Sequence, residues 1–184
     1  YRRSMVTSVK QLFAARDRLV GRGIADLDGE PGVLARVVDL ARRNGEAGAL
    51  PFAGVGVRDG TVTGVGVNTT LADLDPTAHA EIAAIRDAAR RAGSLDMTGA
   101  VVYSSCEPCA ICCTAAAAVG VTEIVFAAGH ELVPAAFDPA PKKTHELVGA
   151  VTQLLPGISR EGRSMLAIEE LTAPFRAYLE VVDR

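Results

Sequence analysis

Apolar positions recur along this chain with two different periods, and the changes between them mark out the elements. Val33, Leu34, Val37, Val38 and Ala41 fall three or four apart, one stripe of a helix over 33–43, and Pro31 suits its first turn. Upstream, 4–19 places Val9, Leu12, Phe13 and Arg16 at helical spacing, and the Gly/Asp-rich stretch 21–32 reads as a linker. The pattern then turns β-like. Phe52–Val57 and Thr61–Val67 are short β-prone runs joined by Arg58-Asp59-Gly60, which has the turn chemistry of a hairpin. A polar loop, 68–77, closes on Asp75-Pro76-Thr77, where Asp75 or Thr77 is expected to cap a helix over 78–92.

Beyond a break at 93–99, Ala100–Ser104 and Glu123–Ala127 read as buried strands, with a helix over 108–119 between them. Two further helices are predicted, 143–155 ending at Pro156-Gly157 and 173–182. Strands alternating with helices predict βαβ connections and an α/β layered fold. The expected organisation is an N-terminal helical extension and linker over 1–30, then one domain over 31–184.

Composition narrows the class. The chain has 184 residues, 49% of them apolar, enough for one well-filled core. Its formal net charge of −3 argues against a nucleic-acid partner, and Arg86, Arg90 and Arg91 read as a solvated helix face. No apolar run has transmembrane length and none of signal-peptide type follows Met5, so the expectation is a soluble cytoplasmic protein with no membrane partner. Met5 is a candidate native start, a reading on which Tyr1–Ser4 would be a non-native addition. The four cysteines sit together at 106, 109, 112 and 113, a crowding that points to a metal rather than a disulfide framework.

Two motifs give that metal a purpose. His79-Ala80-Glu81 opens one predicted helix, and Pro108-Cys109-Ala110-Ile111-Cys112 opens another after a strand. The pairing of His-x-Glu with Pro-Cys-x-x-Cys is the mark of zinc nucleobase deaminases. Zinc takes nitrogen and sulfur ligands in a tetrahedron, and a catalytic ion keeps one position for water. Cysteines three apart on a first helical turn share a face, and the helix N-terminus favours thiolate. Cys109, Cys112 and His79 are therefore the expected ligands of Zn2+, and Glu81 the proton shuttle. Cys106 and Cys113 are expected to stay off the metal. His130 and His145 read as surface or loop residues.

With those motifs the chain resembles the cytidine-deaminase-like superfamily, and more narrowly its bacterial guanine deaminase and cytosine deaminase branch. The similar stretches are Pro51-Phe52, Val57-Arg58-Asp59-Gly60, Asn68, Asp75 through Ile82, Ser105-Cys106-Glu107-Pro108-Cys109 and Phe137-Asp138, with a weaker echo at Ala173-Pro174-Phe175. The resemblance implies a three-layer α-β-α sandwich around a mixed five-stranded sheet, and a homodimer. It implies that Asn68 hydrogen-bonds a small free heterocyclic base, that Phe52 packs on it, and that Ala80 and Ser105 lend backbone groups. Asp138 joins the same substrate-binding set, and Phe175 closes the partner subunit's pocket. Two departures stand out. Pro139 occupies the place of a second acid, and Ala116–Ala118 replace bulkier residues, which suggests a roomier pocket and a ring other than guanine.

Two other functions compete. A tRNA adenosine deaminase shares the run from Asp75 to Glu81, but phosphate tracking calls for clustered basic residues. A non-catalytic zinc-binding partner subunit has no use for the carboxylate of Glu81.

Overall fold

Along the strand that ends at Cys106, successive side chains go to opposite sides, and that parity builds the layers. The computed structural model describes residues 11–137 and 141–183. Its elements run α1 (11–17), α2 (Gly29–Glu46), β1 (Ala53–Arg58), β2 (Thr61–Val67), α3 (Thr70–Asp73), α4 (Ala80–Ala92), β3 (Val101–Cys106), α5 (Ala110–Ala118), β4 (Glu123–Ala128), α6 (Pro141–Leu154), β5 (Ser159–Glu161) and α7 (Ile168–Val182), with short 3-10 turns between some of them. Val101, Tyr103 and Val125 pack with the buried stripe of α2. Val102 and Ile124 pack instead with Ile82 and Ile85 of α4 and Cys112 and Ala116 of α5. Two apolar clusters on opposite faces of one sheet make the three-layer α-β-α sandwich expected.

The strand order is β2-β1-β3-β4-β5. β1 is antiparallel to both β2 and β3, whereas β3, β4 and β5 run parallel. The β1–β2 hairpin turns on Asp59 and Gly60, both at positive φ (49° and 71°), the backbone that a two-residue primed turn requires. These directions have one consequence for function. The start of β1 and the ends of β2, β3 and β4 all come to the same edge of the sheet.

Glycines let α4 lie directly on the hairpin. A Cβ on Gly64 would come within 2.5 Å of the Ala84 carbonyl oxygen and the Ala88 nitrogen. One on Gly66 would collide with the Ala84 nitrogen and the Ala80 oxygen. Backbone-to-backbone packing of this kind sets the height of the first turn of α4, which carries the motif.

Several expectations shift. The helix predicted over 33–43 begins at Gly29, because Asp28 in the left-handed conformation starts it and Pro31 falls in a first turn where no N–H is needed. The predicted loop 68–77 contains the single turn α3, stapled by a 2.6 Å bond from the Thr69 hydroxyl to Asp73. The last helix begins at Ile168 rather than 173, with Pro174 inside it and Glu170 accepting the Ala167 N–H at 2.9 Å. Neither Asp75 nor Thr77 caps α4; Asp75 instead accepts the Thr77 N–H and hydroxyl in a tight local turn, which leaves His79 at the cap position. Of the N-terminal helix only 11–17 is described; there Leu12 is buried, while Phe13 is exposed and lies 5.3 Å from the Arg16 guanidinium. No helix among the described residues is long and apolar enough to cross a membrane.

Candidate metal centre and cavity

Two helix N-termini meet at the shared edge of the sheet. His79 precedes α4 and Cys109 precedes α5, each with extended backbone (ψ 155° and 170°) at the cap position, so their side chains swing off the helix axis toward one another. Cys112 sits one turn into α5. The Cys109 sulfur lies 3.4 Å from His79 Nδ1 and 3.6 Å from the Cys112 sulfur, and Cys112 lies 3.6 Å from the same ring nitrogen. A tetrahedral zinc with ordinary Zn–S and Zn–N bonds has ligand-to-ligand edges of about 3.5–3.8 Å. The three donors already stand at that spacing, and their chemistry is that of a catalytic zinc site with one position free. Among the described residues they form the one cluster able to hold a metal ion.

Electrostatics favour the same occupant. Hydrogen bonding from the Cys112 thiol, reinforced by the His79 ring, brings the Cys109 thiol down to about 4 against the opposing effect of burial. Its bond to Cys109 raises His79 despite burial, and the Cys112 thiol is pushed upward as the proton donor of the pair. Two sulfurs thus share a proton beside a basic ring, an arrangement from which a divalent cation displaces protons.

Glu81 is buried beside this cluster, one oxygen 3.3 Å from the Cys112 sulfur and the other accepting the Ser104 hydroxyl at 2.9 Å. Burial raises its pKa, which the Ser104 bond partly offsets. A buried carboxyl with raised proton affinity beside the metal donors is suited to acid–base work.

A cavity of about 220 Å³ opens in front of these groups. His79, Ala80, Glu81 and Cys109 form one side, and Phe52 and Asn68 line it from the ends of the hairpin. Asn68 is buried and its Oδ1 accepts both the N–H and the hydroxyl of Thr70, at 3.1 and 2.8 Å.

Other expected residues stand elsewhere. The Ser105 side chain faces the α2 side, where its hydroxyl accepts the Ala53 N–H at 3.1 Å and laces β1 to β3; the expectation for Ser105 concerns its backbone groups, which this bond leaves untouched. Phe175 is buried one layer behind the wall, its ring centroid 5.9 Å from Phe52 and 5.3 Å from Phe137 of the same chain. Asp138 and Pro139 lie outside the described residues. Ala116–Ala118 do not line the cavity: they form the far half of α5, with Ala116 in the core and Ala118 exposed, so they do not widen the pocket. Cys106 is a buried wall residue and Cys113 a core residue, and neither joins the metal cluster.

The cavity also has residues that the sequence did not single out. His130, expected at the surface or in a loop, stands in the short 3-10 turn after β4 and lines the cavity together with Glu107, Val133, Phe137 and Thr144. Glu107 donates its N–H to Ala128 O at 2.8 Å, and its carboxylate accepts the His130 N–H at 2.9 Å, tying the ends of β3 and β4 together. A signal for Glu107 and His130 did exist: each lies within two residues of a strand end at the edge that bears the ligands.

Comparison with known proteins agrees with this geometry. Residues 32–128 match the model of the cytidine and deoxycytidylate deaminase zinc-binding region. The guanine deaminase of Bacillus subtilis is 38% identical over 107 residues, which is 57% of this chain and 69% of that protein. The tRNA-specific adenosine deaminase of Aquifex aeolicus is 33% identical over 88 residues, 48% of this chain and 58% of that protein. A solved guanine deaminase from Nitrosomonas europaea superposes with a TM-score of 0.65 at 25% identity, covering 80% of this chain and 83% of the other.

Proposed function

The chain belongs to the cytidine and deoxycytidylate deaminase zinc-binding family, and from that premise we propose that it hydrolyses the exocyclic amino group of a small free heterocyclic base. The observation that carries the proposal is the cavity itself. About 220 Å³, walled by Phe52, Val133 and Phe137, is smaller than the about 300–1,000 Å³ of sites that enclose drug-sized ligands, and accommodates an aminated ring of one or two cycles.

His79, Cys109 and Cys112 would hold zinc, which when bound would make a water available for attack near neutral pH. Phe52 and Phe137 exclude solvent and present apolar surface to the ring, while the Asn68 amide donates to one of its acceptors. Glu81, anchored by Ser104, takes a proton from the attacking water and delivers it to a ring nitrogen, then takes the remaining hydroxyl proton of the tetrahedral adduct and passes it to the departing amine. A C–O bond forms, a C–N bond breaks, ammonia leaves, and no redox partner is needed. The resemblance extends the proposal to a homodimer.

Zinc-loaded protein incubated with guanine, cytosine, aminated pterins and s-triazines is expected to release ammonia from at least one of them. Glu81→Gln should abolish that release, by a factor of about 10² or more, with zinc content unchanged. A broad panel without product from zinc-loaded protein overturns the proposal.

Similarity to tRNA-specific adenosine deaminases favours a second reading. It requires deamination of a tRNA anticodon stem-loop, and the same assay with that substrate decides between them.

A further inference from the structure

Asn68 and Phe52 stand opposite one another just past the end of the β1–β2 ladder, where the Asn68 N–H donates to the Phe52 carbonyl at 3.0 Å. What lies behind this pair is a side chain from another layer. Asn44, in the last turn of α2, is 2% exposed. Its single amide nitrogen donates to Leu50 O at 2.7 Å and to Asn68 O at 2.9 Å. The Phe52 N–H converges on the same Leu50 oxygen at 2.8 Å. The bonds close a ring: Asn44 holds Leu50 and Asn68, Leu50 holds Phe52, and Phe52 holds Asn68.

The residue type follows from the demand. Two buried carbonyls from separate segments need two donors on one uncharged group. Serine has one hydroxyl proton, aspartate none when ionised, and lysine or arginine would bring a charge into the core. The neighbouring Gly45 makes the approach feasible, since a Cβ there would stand 2.8 Å from Pro174 O and 3.3 Å from the Pro51 side chain. The end of α2, the start of β1 and the Pro174-Phe175 turn of α7 therefore meet at one point, directly behind the cavity wall.

We propose that Asn44 is a positioning residue that fixes the Asn68 amide and the Phe52 ring against the bound base, a role that rests on the small-base reading above. Asn44 makes no bond to α4 or α5, which carry the metal ligands and Glu81. Its contribution falls on binding, not on the chemical step.

Asn44→Asp keeps the volume and removes both donors. With a base that the wild type deaminates, KM is expected to rise about tenfold and kcat to stay within about threefold, with zinc content unchanged. In an Asn68→Ala background, which keeps the backbone carbonyl that Asn44 holds but deletes the amide it positions, the same substitution should move KM by less than about threefold. Backbone amide exchange on the same samples should accelerate at Phe52 and Asn68 and stay unchanged at Ala83 in α4. Should Asn44→Asp fail to fold, Asn44→Ser retains one donor and carries the same measurements. An unchanged KM, full additivity with Asn68→Ala, or uniform acceleration of exchange overturns the role. Wild-type protein inert toward every base overturns the small-base reading instead, and the exchange pattern alone then decides whether Asn44 holds the wall.

Discussion

A carboxyl taken out of water gains proton affinity, but it serves the metal site only if something orients it, and in this site the Ser104 hydroxyl does so. Its bond to Glu81 Oε1 leaves the other oxygen facing the metal cluster. Ser104→Ala removes the donor while leaving every ligand in place. The expected result is a fall in kcat of about tenfold to a hundredfold, with KM and zinc content close to wild type, measured by steady-state ammonia release. Loss of zinc in that variant would mean that the serine supports the metal centre instead. The neighbouring residue shows how far side-chain chemistry was legible in the chain. The role of Ser104 was not legible in the motifs: strand parity sends its side chain to the α4 face along with Val102, and that of Ser105 to the α2 face along with Tyr103. His79, Glu81, Cys109 and Cys112 were legible because their spacing is local and their chemistry is joint. Asn44 was not, since it acts through backbone carbonyls of other segments; Glu107 and His130 left only the weaker signal of standing beside strand ends.

Among the elements, α4 and the hairpin are the pair whose contact sets the site. Gly66→Ala would drive a methyl group into the backbone of α4 at Ala80 and Ala84, and the helix must retreat. Destabilisation of about 1–3 kcal/mol is expected from overpacking, accompanied by weaker zinc retention because His79 moves with the helix. Gly60→Ala is the control. It strains a positive φ but meets no atom within 4 Å, so it should lower stability and leave zinc untouched. Denaturant titration together with metal analysis separates the two.

The elements that the sequence hid have physical reasons as well. β5 is three residues, Ser-Arg-Glu, without apolar alternation, and it is held by ionic contacts: Arg160 reaches Glu30 at 2.8 Å and Glu123 at 2.8 Å. The Arg160 bond, helped by the Arg163 N–H, lowers the Glu30 carboxyl below its ordinary range even though burial works against it. A carboxyl with a lowered folded-state pKa stabilises the fold above its unfolded pKa, about 4.3, and that contribution disappears as pH falls through the folded value. Glu30→Gln should therefore lower the Tm at pH 7 and make no difference well below pH 3. Parallel melting curves for the two proteins across that acid range check the sign. The start of α7 was hidden for a different reason: Pro174 reads as a boundary, but it sits mid-helix where Gly45 gives its carbonyl room.

At the scale of the molecule, charge separates the two substrate classes that one zinc centre could serve. The chain carries a formal net charge of −3, and the cavity gathers Glu81 and Glu107 rather than a basic rim. A neutral base arrives without electrostatic help, so its kcat/KM should change less than about twofold between 50 and 200 mM salt. A nucleic acid held through several phosphates releases counterions on binding, and its affinity drops steeply, by about 10³-fold or more over that interval when six or more phosphates are engaged. Measuring kcat/KM for the best free base, and for an anticodon stem-loop, at both ionic strengths places the protein on one side. A flat profile with the base and no turnover of RNA is the expected result. Salt-sensitive turnover of the stem-loop would mean that an extruded base enters the cavity while the surface around it supplies the phosphate contacts.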